Sequence, residues 1–194
     1  MNKIRKGERM IYRVKVAISN RHVHLTKDIY DKLFDEPMSK RNDLNQIGQY
    51  ATNQTVDLIV GDKVIEHVRV VGPYREYTQV EILPSDAELL GLNPPTRRSG
   101  ELNDSETITI KTDKGSVTLN NVCIIAENHV HFNTNEMEKY HVQDKQLIRV
   151  HLENGTIFDA RAKVSDDGYY ELQVDRDVAI KYGLSTGQEV DIEI

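Results

Sequence analysis

A His-x-His pair occurs twice, as His22-Val23-His24 and His129-Val130-His131, each in a matching local context. The first follows the alternating apolar run Val14, Val16, Ile18, and the second follows Val122, Ile124 and Ile125. Thr26 or Asn133 comes soon after each pair and opens a short helix-like stretch. In extended chain, residues i and i+2 project to the same side, whereas in a helix they diverge. Each pair therefore presents two imidazoles together. Four of the seven histidines fall in these two motifs. A lone copy would read as two hydrogen-bonded strand histidines. Repetition at equivalent points of two similar halves points to a duplicated metal-binding β unit.

The rest of the chain carries the same β signature. Val56, Leu58 and Val60 alternate before Gly61-Asp62-Lys63, and Thr107 to Ile110 alternates before Asp113 to Ser116, with Val117 and Leu119 beyond. Ile148, Val150 and Leu152 lead into Asn154-Gly155, a strong short hairpin signal. Val190, Ile192 and Ile194 alternate at the C-terminal end. Helices are few and short. Ser85 to Glu88 has the spacing of a capping box and Gly91 that of a stop, Asn133 to Glu136 repeats the box, and Asp175 to Tyr182 runs into Gly183. Short strands with Gly and Asn turns predict a mainly β chain of barrels or sandwiches rather than a βαβ sheet. The expected division is 11–105 and 106–194, with the exact boundary and an exchange of strands between the two left open.

Composition narrows the function. A length of 194 residues suffices for one large or two small domains. The formal charge of −6 argues against a nucleic-acid footprint but not against a local basic site for a small anion. No apolar run approaches a membrane span. The basic first ten residues lack the apolar core of a signal peptide, so a cytoplasmic location is expected. Cys123 is the single cysteine and lies in an apolar run, so a buried structural thiol is expected there.

The repeat also supplies a third ligand. Gln79 to Ile82 followed by Ser85 to Gly91 parallels Glu171 to Val174 followed by Asp177 to Gly183, which places Glu81 in register with Gln173. Two histidines and a carboxylate leave an open coordination position, the pattern of a catalytic zinc. The first half offers His22, His24 and Glu81. The second offers His129, His131 and Gln173, and a neutral amide is a poor ligand. Glu171, on the same strand face, is the alternative donor, so occupation of the second site stays open.

Three segments resemble a known family: Ser19-Asn20-Arg21-His22-Val23-His24-Leu25, Gly72 to Ile82, and Pro94-Pro95-Thr96-Arg97-Arg98-Ser99-Gly100. They are similar to the phosphate propanoyltransferases of the PduL type, a family that includes phosphotransacetylases. The likeness covers the chain after residue 11 and is stronger before residue 105. It implies two β-barrel-like domains, zinc at their junction, and acyl transfer between coenzyme A and phosphate, as in propanediol utilization. His22, His24 and Glu81 then correspond to ligands of one zinc, His129 and His131 to ligands of a second, and Arg75 to the phosphate-holding residue. The chain departs from the family at Asn128, where an arginine is usual, and at Gln173, where a histidine is usual. A homodimer is compatible with the family. No microcompartment-targeting extension is evident in the leading residues.

The resulting expectation is a zinc-dependent phosphate acyltransferase acting on an acetyl or propanoyl group, with acyl-CoA and phosphate as its partners and neither nucleic acid nor membrane among them. Phosphate attacks the thioester directly, so no nucleophilic side chain is needed. Arg75 and Ser19 are the expected catalytic residues: Arg75 offers a planar fork of donors to phosphate, and Ser19, with Arg21, flanks the first histidine pair as a further anion contact. Arg97 and Arg98 are candidates for the phosphates of coenzyme A. His67, His141 and His151 have no partner motif and read as surface or packing residues. Two alternatives accompany this reading: a catalytically impaired relative acting as a metal- and CoA-binding module, and a plain metal-dependent hydrolase.

Overall fold

The computed structural model describes residues 10–166 and 168–194. The elements in order are β1 (Ile11–Ser19), β2 (His22–His24), α1 (Lys27–Leu33), β3 (Lys40–Asp43), β4 (Tyr50–Val60), β5 (Lys63–Gly72), β6 (Gln79–Glu81), α2 (Pro84–Leu90), β7 (Thr96–Arg97), β8 (Glu106–Lys111) and β9 (Ser116–Ala126). The second half continues with β10 (His129–Phe132), α3 (Thr134–Tyr140), β11 (Leu147–His151), β12 (Ile157–Val164), β13 (Glu171–Asp175), α4 (Arg176–Tyr182) and β14 (Glu189–Glu193). Strands dominate and every helix is seven residues long, as the alternating pattern predicts.

Two compact units result. One comprises residues 20–127 together with Asp175–Asp177, and is called here the inserted barrel. Its strands run β4-β5-β2-β6-β9, and β8 pairs with both β9 and β4 to close the ring. Val56, Leu58, Val70, Val80, Ile108, Ile110 and Cys123 fill its interior. The alternation that marks these strands in the sequence is the alternation of inward and outward faces.

The other unit, the terminal barrel, is made of residues 10–19, 128–174 and 178–194. It closes in the order β1-β13-β10-β12-β11-β14, with β14 returning to β1. Val14, Val16, Phe132, Ile148, Val150, Leu172 and Ile192 are buried in its core. The hairpin between β11 and β12 turns at Asn154-Gly155, where Gly155 has φ +84°, a left-handed conformation that a β-carbon would strain.

The units differ from the expected split at 105/106. β8 and β9 belong to the inserted barrel because Leu58 needs Ile110 as its cross-strand partner to close that ring. β1 belongs to the terminal barrel because Val14 pairs with Val190. A second correction concerns α2. Pro84, whose missing N–H costs nothing at the first helical position, starts the helix one residue before Ser85. The cap is then made by Asp86, whose Oδ2 accepts the Leu83 N–H at 3.0 Å. Gly91 ends the helix at φ +71°, and the Asn133–Glu136 box caps α3 as its spacing predicts.

Candidate metal and anion site

The first histidine pair forms β2, a three-residue strand set between β5 and β6. The parallel partner of His22 is Arg69 and its antiparallel partner is Glu81, while His24 lies opposite Gln79. Cross-strand partners share a face, so this register alone gathers His22, His24 and Glu81. Val23 between them is fully buried and anchors the strand in the core.

The hydrogen bonds fix the rings. His22 Nδ1 lies 2.8 Å from the Asn20 carbonyl oxygen and His24 Nδ1 3.2 Å from that of Val71. A carbonyl only accepts, so both Nδ1 atoms carry the proton and both Nε2 atoms present lone pairs. Those Nε2 atoms stand 3.2 Å apart, and Glu81 Oε2 lies 3.5 Å from His22 Nε2. One donor atom from each of the three residues falls within 4.8 Å of the others. Three such atoms converging suit a cation, and in each imidazole a backbone carbonyl engages the other ring nitrogen, as is usual for metal-ligating histidines. Among the described residues this is the one such group of His, Cys, Asp and Glu.

Arg75 sits in the loop after Gly72, where the chain passes so close to Tyr50 that an added β-carbon would meet its ring at 2.6 Å. Its backbone N–H donates to the Leu25 carbonyl at 3.0 Å, tying the loop to the end of β2. The guanidinium donates through one nitrogen to Ser99 Oγ at 3.3 Å. Ser99 also accepts from Gln79 Nε2 at 2.9 Å, and the same amide nitrogen donates to Glu81 Oε1 at 2.5 Å. Arg75 is thus two residues removed from the carboxylate through hydrogen bonds. Arg97 and Arg98, both half-buried, immediately precede Ser99.

The flanking residues are engaged as follows. Arg21 forks onto Asp86, with Nε 2.7 Å from Oδ2 and the second guanidinium nitrogen 2.6 Å from Oδ1. It thereby supports the cap of α2. Ser19 ends β1 in the terminal barrel, and its hydroxyl donates to the Val174 carbonyl at 3.3 Å. Cys123 is buried, and burial pushes its thiol up to about 12, with Glu106 and Asp86 adding to the shift, so it is no nucleophile at neutral pH.

The second histidine pair repeats the first in topology. His129 has Arg161 as its parallel partner and Gln173 as its antiparallel partner, so Gln173 stands where Glu81 stands. The arginines match as well: Arg69 donates to the Thr52 and Asn53 carbonyls, and Arg161 to that of Lys145. The centre itself differs. His131 Nε2 lies 3.0 Å from Gln173 Oε1 and 3.1 Å from His129 Nε2, and the His131 ring stacks on Tyr169. An Nε2–H of His131 donating to the amide oxygen satisfies this geometry, and a nitrogen carrying that proton has no lone pair for a metal. Glu171 is the strand partner of His131 but, among the described residues, is in no cluster of three His, Cys, Asp or Glu side chains. An amide oxygen is a weaker donor than a carboxylate, so this centre would hold a cation less well than the first.

Sequence reasoning missed Gln79, Ser99 and Asp86. Gln79 and Ser99 lie inside motifs already singled out, but nothing in composition marks a buried amide as a link between them.

A family model described as phosphate propanoyltransferase matches residues 15–185. The chain is 38% identical to a phosphate propanoyltransferase of Thermotoga maritima, over 99% of this chain and 96% of that one. It is 37% identical to that of Shewanella putrefaciens, covering 91% and 86%, and 37% identical to that of Clostridioides difficile, covering 90% and 86%.

Proposed function

This chain belongs to the phosphate propanoyltransferase family, and from that premise we propose that it transfers a short acyl group, acetyl or propanoyl, reversibly between coenzyme A and phosphate, with zinc held by His22, His24 and Glu81. The observation that carries the reading is the convergence of three proton-free donor atoms, each imidazole turned by a backbone carbonyl. Zinc bound there would supply positive charge to a developing oxyanion or a departing thiolate.

The chain's own residues do the rest. Arg75 holds phosphate by the guanidinium donors not engaged with Ser99. A phosphate oxygen forms a bond to the thioester carbonyl carbon, the C–S bond breaks, and coenzyme A leaves as its thiolate. Orientation of the two bound reactants lowers the barrier without a covalent enzyme intermediate. Arg97 and Arg98, heading the loop that carries Ser99, are the side chains offered to the phosphates of coenzyme A. The altered second centre favours one alternative, a metal- and CoA-binding module that has lost turnover.

Thiol release from acetyl-CoA and propanoyl-CoA, with and without phosphate, on protein of measured zinc content, separates these readings. Phosphate-dependent release supports the transferase, and Arg75→Ala is expected to abolish it with zinc content unchanged. Release without phosphate would mean a hydrolase, and none from zinc-loaded protein the binding module.

A further inference from the structure

Gln79 is fully buried, and every polar atom of its side chain is engaged. Nε2 donates to Glu81 Oε1 at 2.5 Å and to Ser99 Oγ at 2.9 Å, while Oε1 accepts the Gly100 N–H at 2.7 Å. These neighbours define the amide's orientation. Turned over, it would set its oxygen against a carboxylate and its nitrogen against a backbone N–H. Ser99 Oγ, in turn, accepts from both Gln79 and Arg75. A continuous hydrogen-bonded chain therefore runs from Glu81 through Gln79 and Ser99 to Arg75.

The repeat provides an internal contrast. On β6 the order is amide then acid, Gln79-Val80-Glu81, and on β13 it is acid then amide, Glu171-Leu172-Gln173. Both strands pair with their histidine strands in the same register. Among the described residues, the amide-first order is the one that completes a cluster of three His, Cys, Asp or Glu side chains, because it sets the carboxylate opposite the first histidine of the pair.

We infer that Gln79 is a positioning residue for the acyl transfer: it holds one oxygen of Glu81, turning the other toward the histidines, and through Ser99 it fixes the Arg75 guanidinium relative to that carboxylate. The metal ligand and the phosphate-holding arginine then share one support, so loosening it disturbs both. A carboxylate free to rotate loses part of its value as a ligand, as outer-shell partners of metal ligands generally show. The inference rests on the proposed function and deepens it.

Two variants test it, each with two readouts: zinc affinity by competition with a chromogenic chelator, and initial rates with phosphate varied. Gln79→Met keeps the volume and removes the amide. It is expected to weaken zinc binding by about ten- to a hundredfold and to raise the KM for phosphate. Ser99→Ala, at a partly exposed position, is expected to raise the KM for phosphate roughly two- to tenfold with a smaller change in kcat and little change in zinc affinity. Zinc affinity of Gln79→Met within twofold of wild type overturns the positioning role, and an unchanged phosphate KM in Ser99→Ala overturns the coupling to Arg75. Should Gln79→Met fail to fold, Gln79→Asn, which keeps the amide but draws it back from Glu81, takes its place under the same zinc criterion, and Ser99→Ala still decides the coupling to Arg75. A wild-type protein that binds no zinc and shows no phosphate-dependent release overturns the functional reading itself, a result distinct from intact wild-type activity that the variants share.

Discussion

Replacing Arg21 with alanine should destabilise the inserted barrel rather than weaken anion binding. The Asp86 side chain is 4% exposed and that of Arg21 30%, and the two are joined by a side-on fork of two hydrogen bonds. Removing the guanidinium leaves an almost buried carboxylate with the Leu83 N–H as a neutral donor. Breaking a buried pair from one side costs about 3–5 kcal/mol. Partial exposure of Arg21 lets water replace some of the lost interaction, which brings the expectation to about 2–3 kcal/mol, or roughly thirtyfold or more in the folding constant. Arg21→Lys should recover part of this, since an ammonium restores charge but not the fork. The assay is urea denaturation of Arg21→Ala, Asp86→Ala and the double variant, followed by tyrosine fluorescence because the chain has no tryptophan. Coupling of about 2 kcal/mol is expected. Single effects that add to within about 0.5 kcal/mol would refute the pairing, and a fully stable Arg21→Ala with a raised KM for phosphate would return Arg21 to the anion site.

Gln173→His should give the second centre a third ligand, and elemental analysis is expected to rise from about one zinc per chain toward two. An unchanged stoichiometry would mean that the stacked His131 ring, not the amide, sets the limit. Tyr30 predicts an alkaline loss of stability. Burial, with Tyr74 and Asp31 contributing less, pushes its hydroxyl up to about 12 from an ordinary 10.0. The folded state then keeps a proton that the unfolded chain releases, so this stabilisation is complete below pH 10 and is lost as pH rises toward 12, at most about 3 kcal/mol. Tyr30→Phe should flatten that part of the stability profile in chemical denaturation at pH 9 to 11, and an identical pH slope would refute the assignment.

What the sequence revealed follows from period two. Strands, the Asn154-Gly155 hairpin, both histidine pairs and the match of Glu81 with Gln173 are local or repeated patterns, and such patterns survive without knowledge of partners. The pairing of β1 with β14 did not show, because nothing in Val14 or Val16 says which barrel will bury them. Nor did the hub at Gln79. A buried amide reads like any polar residue on an alternating strand until its three partners, one beside it and two some twenty residues away, are brought together. At α2 the misreading came from Ser85, a good capping residue displaced by the proline before it.

The insertion of one barrel between the first strand and the remainder of the other bears on how the chain comes off the ribosome. Residues 20–127 are contiguous and complete a closed ring as soon as β9 has emerged. β1 precedes the inserted barrel in the chain yet pairs with β14, which ends at Glu193. Until β13 and β14 have followed, it is a strand without its partners, with two valines meant for a core. The terminal barrel is therefore the slow, high-contact-order partner, and the exposed edge of β1 is where a nascent chain of this kind invites chaperone binding or pairing with a neighbour.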